Sequence, residues 1–382
     1  MTSIIDSILS NISKYDNLWC KILWIKNPYI DNYEYQLSRN IPMFDSVAHK
    51  RYPKLNNLYD KLWIAKNQNI KCGMLSDLKN KTENDLPKYP FFIKPRYGHK
   101  NAGSKGCHVI ENYNQLMYYI DYEDSMWCEY INEKESMTDF VLYEGKVVYQ
   151  LTSNYTKGNN PISDEWKYIS CNNKPSLKIE SWLLNNVKNY NGIVNIQSRG
   201  DKIIEVSLRP ARGGIYLKET RNKNVIQNIN NIYNNEKWQD LKYEDTKFTP
   251  FYAFKAKSIT TPFVMLPYFF IALLMAYFNV NSFHEYYFEP IDYNIHMFYQ
   301  FIHRNFEEGM KCKLYLESCN YLLHIVFFSL ILLIVYYRIF KKSWNSTLLF
   351  ILTVITTLKY YNTLTSQYGL WKIQKINLGI HN

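Results

Sequence analysis

Gln197, Glu205 and Ser207 offer an amide oxygen, a carboxylate and a hydroxyl within one short stretch, and Arg209 and Arg212 follow directly. Hard oxygen donors of this kind suit Mg²⁺. Guanidinium groups beside them suit phosphate. For these residues to act together the chain must fold back on itself. Residues 192–212 read as two strands, Ile193–Ser198 and Lys202–Ser207, joined by a turn at Arg199-Gly200-Asp201. Alternation puts Asn195 and Gln197 on one face of the first strand, and Ile203, Glu205 and Ser207 on one face of the second. Pairing around the turn then brings Gln197 to Glu205, with both arginines just past the strand end. A surface hairpin with one solvated glutamate is the other description of the same residues.

Upstream elements could complete a phosphate site. Tyr89-Pro-Phe-Phe-Ile-Lys94-Pro95 reads as an apolar strand, followed by a loop holding Gly98, Gly103, Ser104 and Gly106, and a second strand at Cys107–Ile110. Glycines allow backbone N–H groups to approach phosphate oxygens, and Lys94 would add a point charge. No Walker-type G-x-x-x-x-G-K-[S/T] occurs. Residues 57–66 read as a helix, with Leu58, Leu62 and Ala65 at helical spacing. Residues 126–148 read as strand, hinge, strand, a turn at Glu144-Gly145, and strand. Asn114–Tyr122, Ser181–Asn189 and Asn222–Asp240 read as helices, and the polar segment 152–176 as a long loop.

Asn195-Ile-Gln197 followed by Glu205-Val-Ser-Leu-Arg209-Pro-Ala-Arg212 resembles the metal-binding signature of the ATP-grasp superfamily. The nearest pattern is that of the carbamoyl-phosphate synthetase large chain, N-V-Q and then E-V-N-P-R-x-x-R. The resemblance implies an α+β ATP-grasp fold, two subdomains clasping ATP. It implies that Gln197 holds one Mg²⁺ (or Mn²⁺), that Glu205 bridges two, and that Arg209 and Arg212 steady the transferring phosphoryl group. Ser207 stands where the family usually has Asn, and a hydroxyl can still ligate directly or through water. Ile-Lys94-Pro95 with Gly103-Ser104-Lys-Gly106 resembles the family's phosphate loop, and Asp60-Lys61 its D-K/R helix start, whose basic residue reaches the phosphates. Glu129 would sit at the adenine hinge, the backbone of Tyr130 and Ile131 would read the base edge, and Glu135 would bind the ribose. Glu133 replaces an expected Gly, so the hinge turn differs. The resemblance spans roughly residues 57–215. It divides the chain into a short or remodelled N-terminal region (1–56), a small subdomain (57–128), a large subdomain (129–240), a linker (241–260) and a C-terminal region (261–382).

The 382 residues carry a net charge of +11, with no compact basic run interleaved with aromatics, so nucleic acid is not an expected partner. The seven cysteines form no C-x-x-C pair and indicate neither a zinc site nor a disulfide scaffold. The N-terminus has no basic region before an apolar core, so no signal peptide is expected. Uncharged runs at about 261–280 and 320–337 read as membrane spans, with a shorter third run at 343–358 as an alternative. Lys255 and Lys257 before the first run, and Arg338, Lys341 and Lys342 after the second, place the ATP-grasp domain in the cytosol. Residues 284–319, with six acidic and three basic side chains, would then form a loop on the far side of the bilayer. There Cys312 and Cys319 could pair.

The function implied is ATP-dependent ligation of a small-molecule carboxylate to an amine, thiol or similar acceptor through an acylphosphate. The alternative is a nucleotide-binding pseudoenzyme that regulates or scaffolds at a membrane.

Overall fold

The computed structural model describes residues 37–100, 106–155, 166–170, 174–258, 274, 277–291 and 294–340. The chain divides into two compact units, one drawn from Asp31–Ala253 and Glu289–Ile295, the other from Met1–Ile30, Phe254–Phe288 and His296–Asn382.

The first unit opens with α1 (Asp45–Arg51) and a 3₁₀ stretch at Pro53–Tyr59. The helix expected over 57–66 starts later, as α2 (Lys61–Asn67). The reason is Asp60, whose carboxylate caps α2 by accepting from the backbone N–H of Leu62 (3.0 Å) and Trp63 (3.3 Å). A four-stranded antiparallel sheet follows, built from β1 (Cys72–Met74), β2 (Phe91–Pro95), β3 (His108–Ile110) and β4 (Ser125–Glu129) in the order β1-β4-β2-β3. Helix α3 (Tyr113–Tyr119) covers it, and Phe91, Ile93, Ile110 and Leu116 form its sealed core.

The second sheet of this unit carries β5 (Glu135–Tyr143), β6 (Lys146–Tyr155), β7 (Trp166–Ser170), β8 (Gly192–Arg199) and β9 (Lys202–Ser207), in the order β7-β6-β5-β8-β9. The polar segment 152–176, expected as one long loop, in fact extends β6 and supplies β7. Trp166 and Ile169 on β7 are buried, an apolar content that outweighs the polar residues around it. Helices α4 (Leu177–Asn186), α5 (Ile215–Glu219) and α6 (Lys223–Tyr233) complete the unit. Residues Gly192–Ile196 of β8 are buried in succession, the pattern of a strand covered on both faces. Val194 and Ile196 meet Leu58, Tyr59, Ile64, Leu183, Val206 and Leu208 in one core, so the hairpin and the 3₁₀ stretch before α2 are packed together.

In the second unit β10 (Phe251–Ser258), β11 (Ser282–Ile291) and β12 (Asn294–His303) run in the order β11-β12-β10, followed by the 35-residue α7 (Phe306–Phe340). This corrects three expectations. Residues 284–319 are not a loop across a bilayer: β12 is hydrogen-bonded to β10, so Lys255, Lys257 and residues 294–303 lie on one sheet and hence on one side. Cys312 and Cys319 are free cysteines seven positions apart on one helix. A rise of about 1.5 Å per residue separates them beyond disulfide reach. The run 320–337 continues a helix whose earlier turns bury a Lys313–Glu317 ion pair (2.9 Å) with Asn320 and His324. Among the described residues no helix is long and apolar enough to cross a membrane. The run 261–280, except 274 and 277–280, and the run 343–358 lie outside them.

The start of β8 depends on one glycine. Gly192 has φ +145°, and a Cβ there would lie 2.8 Å from both the Tyr190 and Tyr233 hydroxyl oxygens. The Tyr233 hydroxyl in turn accepts from the Ile193 N–H at 2.8 Å. Gly192→Ala should therefore cost roughly 2 kcal/mol, read as a lower urea midpoint at unchanged slope. An unchanged midpoint would show that the tyrosines yield freely.

Candidate functional site

The hairpin sets Gln197 opposite Glu205 and Asn195 opposite Ser207, with a bulge just after Gln197. On the other side of β8, Met137 faces Gln197 and Asp139 faces Asn195. Two rows therefore cross the sheet: Met137, Gln197, Glu205, and Asp139, Asn195, Ser207. Gln197 and Glu205 are half-buried, and Ser207 is buried. Three oxygen donors at the end of a hairpin, with a single carboxylate among them, fit a Mg²⁺ that takes its remaining ligands from phosphates and water. No group of three or more His, Cys, Asp or Glu side chains that could hold a metal occurs among the described residues. An all-protein cage of that type is not what this site offers.

Lys61, Lys94 and Arg209 surround Glu205. Lys61 is 8% exposed, and its Nζ lies 3.0 Å from a Glu205 carboxylate oxygen. Asp60 directs it there. Besides capping α2, Asp60 takes the Arg96 guanidinium on both oxygens (2.9 and 2.5 Å). The Lys61 N–H donates to the Arg96 carbonyl at 3.0 Å, which ties α2 to the end of β2. Lys94, on β2, donates from Nζ to the Ile204 carbonyl at 3.0 Å. Burial would raise the Glu205 pKa, but the charge and hydrogen bond of Lys61, then the charges of Lys94 and Arg209, outweigh it and hold the carboxyl below its ordinary range. Burial likewise opposes the Lys61 charge, and Glu205 more than restores it. The loop after β2 approaches closely: a Cβ on Gly98 would lie 3.5 Å from Glu205 Oε1 and 3.5 Å from Lys61 Cε. Gly106 has φ +73° and faces the Pro95 ring. Gly103 and Ser104 lie outside the described residues.

Arg209 donates from Nη2 to Asp45 on α1 at 2.7 Å and from Nη1 to the Pro210 carbonyl at 3.2 Å. Arg212 sits on the following turn at φ +46°, before Gly213 and Gly214, which also have positive φ. The turn is anchored by Asp139, which accepts from the Ala211 N–H (2.9 and 3.1 Å) and from Asn195 Nδ2 (2.7 Å).

At the other end of the hairpin, Glu129 pairs with Lys202 at 3.2 Å. Glu135, opposite Arg199 in the ladder, takes its guanidinium at 3.1 Å. The Ile131 carbonyl, expected to face a base, accepts from Arg199 Nη1 at 3.1 Å. Tyr130 is half-buried beside it. Glu133, the residue expected to alter the hinge, packs over the hairpin turn, with its Cγ 3.1 Å from where a Gly200 Cβ would be. The Lys61–Glu205–Arg209 end and the Glu129–Glu135 end thus lie at opposite ends of one hairpin, an arrangement suited to an elongated anionic ligand with a polar head.

Several participants escaped the sequence reading. Asp45, His49, Tyr59, Arg96, His99, Cys107 and Asp139 reach the site by contacts far apart in the chain, and only Asp60-Lys61 gave a local sign. Burial pushes the Cys107 thiol up to about 11 despite the nearby lysines.

No protein-family model matches the chain, and no curated protein matches it. Among solved structures, carboxyaminoimidazole ribonucleotide synthase from Aspergillus clavatus, complexed with ATP, superposes with a TM-score of 0.51 at 10% identity, covering 70% of this chain and 77% of that one. L-amino acid ligase from Bacillus licheniformis gives 0.48 at 14% identity, covering 72% and 76%. Biotin carboxylase from Campylobacter jejuni gives 0.43 at 12%, covering 69% and 67%. The first of these similarities, together with the paired sheets above, establishes an ATP-grasp fold.

Asp139 supplies a pH test. Burial raises its carboxyl from 3.8 to about 6, against the lowering effect of the Ala211 N–H and Asn195. The folded state then holds the proton more tightly than the unfolded one. Its contribution, roughly 3 kcal/mol, is full below pH 3.8 and lost as pH rises through about 6. The stability difference between wild type and Asp139→Asn should therefore move against wild type across that window. A pH-independent difference in urea midpoints would contradict it.

Proposed function

We propose that this chain is an ATP-dependent ligase that joins a small-molecule carboxylate to an amine or similar nucleophile. The observation that carries the reading is the pairing of Gln197 with Glu205 inside a cluster of Lys61, Lys94 and Arg209. Gln197, Glu205 and Ser207 would hold Mg²⁺, which when bound supplies charge neutralisation at the phosphate oxygens. Lys94 and Lys61 would bind the phosphates. Glu129, Glu135 and the backbone at Tyr130 and Ile131 would take the nucleoside, with Lys202 and Arg199 shifting as they do.

The chemistry needs little from the protein beyond placement and charge. A carboxylate oxygen of the substrate attacks the γ-phosphorus, the bond to the bridging oxygen breaks, and ADP leaves. Arg209, with Arg212 on the next turn, would balance charge on the transferring group. The amine lone pair then attacks the acyl carbon and the C–O bond to phosphate breaks. The nitrogen loses its proton to solvent, and amide and inorganic phosphate depart.

A second reading has one specific observation in its favour. Glu205 is already paired with Lys61, and Arg209 with Asp45, as in a nucleotide-binding scaffold that never turns over. ADP release on adding carboxylate and amine pairs separates the two.

The bilayer reading, with the ATP-grasp unit in the cytosol, is likewise a proposal. It rests on the uncharged run 343–358 and the basic residues just ahead of it, Arg338, Lys341 and Lys342. Full-length protein should stay in the membrane pellet after alkaline carbonate extraction, and release into the supernatant would remove this part of the account.

Two variants test the site. Lys94→Ala should weaken Mg·AMP-PNP binding roughly tenfold or more, the usual scale for a lost charge-assisted contact. Glu205→Gln should reduce turnover more than nucleotide affinity. Wild-type affinity in the first together with wild-type turnover in the second would refute the assignment.

A further inference from the structure

The short region ahead of the ATP-grasp core enters the site through α1. Asp45, at its first turn, gives one oxygen to Arg209 (2.7 Å). Its other oxygen, Oδ1, is buried and has no hydrogen-bond partner. One turn along, His49 stacks on His99 (ring centroids 3.7 Å apart, interplanar angle 19°) and meets Tyr59 edge-on at 5.4 Å. His99 follows Gly98, the residue that approaches Glu205 and Lys61. Asp45 also bears electrostatically on Lys61, Tyr59 and Arg209. It therefore belongs to the phosphoryl end of the site, not the nucleoside end.

An ionised carboxylate can accept several hydrogen bonds through its two oxygens. Here Arg209 serves one, and the second is taken from water with no donor in exchange. Leaving a buried acceptor empty is unfavourable, and more so for a charged one. A ligand group that donates, and preferably carries positive charge, removes that cost. A carboxylate, phosphate or carbonyl cannot. The two roles of the aspartate are also complementary: the oxygen that steadies Arg209 fixes the empty oxygen beside the guanidinium.

We propose that Asp45 is the specificity residue for the acceptor, its Oδ1 receiving the acceptor's ammonium or primary amine next to Arg209. This rests on the ligase reading, and it places the nucleophile where the acyl carbon must be presented. Asp45 would hold the amine and discriminate against alcohols, without taking part in phosphoryl transfer. Tyr59 and the His49–His99 stack would form the wall against which the rest of the acceptor lies.

The test uses full-length protein saturated with Mg·ADP, which leaves the acyl and acceptor side open. The probes are ethylammonium chloride and its neutral counterpart ethanol, followed by saturation-transfer NMR at matched ionic strength. Wild type should bind ethylammonium saturably and ethanol not at all. Asp45→Asn keeps an oxygen for Arg209 but loses the charge, and ethylammonium affinity should fall roughly tenfold. Asp45→Glu should restore a preference for ethylammonium over ethanol. If Asp45 only steadied Arg209, Asp45→Asn would leave the discrimination between amine and alcohol as it is. Equal ethylammonium binding by wild type and Asp45→Asn, or none by wild type, overturns the proposal. Failure of wild type to bind Mg·ADP would instead overturn the ligase reading on which it stands.

Discussion

The ion pair between Lys61 and Glu205 governs the rest of the site. Both side chains are largely withdrawn from water, where a lone charge would be costly and a paired one is tolerated only with good geometry. Its geometry comes from several elements at once. Asp60 caps α2 and grips Arg96, so the helix begins at the height of the hairpin and presents its first residue, Lys61, to β9. With Lys94 and Arg209 against Glu205 and Asp45, the cluster has three cations and two carboxylates. The surplus is positive, which suits an anionic ligand, and Lys61 is the cation that balances Glu205. On the proposed ligase reading, ligand binding would be an exchange of partners, with Glu205 turning from Lys61 to Mg²⁺ and Lys61 to phosphate.

The sheet supplies rigidity for that exchange. Asp139, Asn195 and the Ala211 N–H form a buried polar link across β5, β8 and the turn after β9. This link fixes where Arg209 and Arg212 leave the strand. Ser207 lies in the same row, one step deeper than Glu205, and is 3% exposed.

The alternation of polar residues in 192–212 was enough to recover the hairpin and its turn. The meeting of Gln197 with Glu205 depends on the bulge after Gln197, since the turn alone, pairing Ser198 with Ile203, would set Ile204 opposite Gln197. The start of α2 was misread because Leu58, Leu62 and Ala65 share a helical period across a break that only the capping geometry of Asp60 reveals. Asp45 could not have been found. It meets Arg209 across 164 positions in the chain, and its orphaned oxygen is a property of packing. Residues 284–303, expected within a loop, are instead β11 and β12, for a different reason. Their mixed charged and aromatic composition shows no clear strand period, and the strand order that joins β10 to β12 is not written in hydropathy.

The exchange of partners at Glu205 is tested most directly by calorimetric titration of the wild-type protein with AMP-PNP, first with Mg²⁺ and then with EDTA. Lys61 competes for Glu205 whenever the metal is absent, so the account predicts binding in Mg²⁺ and an affinity at least roughly tenfold weaker in EDTA. Equal affinity in the two buffers, or no binding in either, would contradict it.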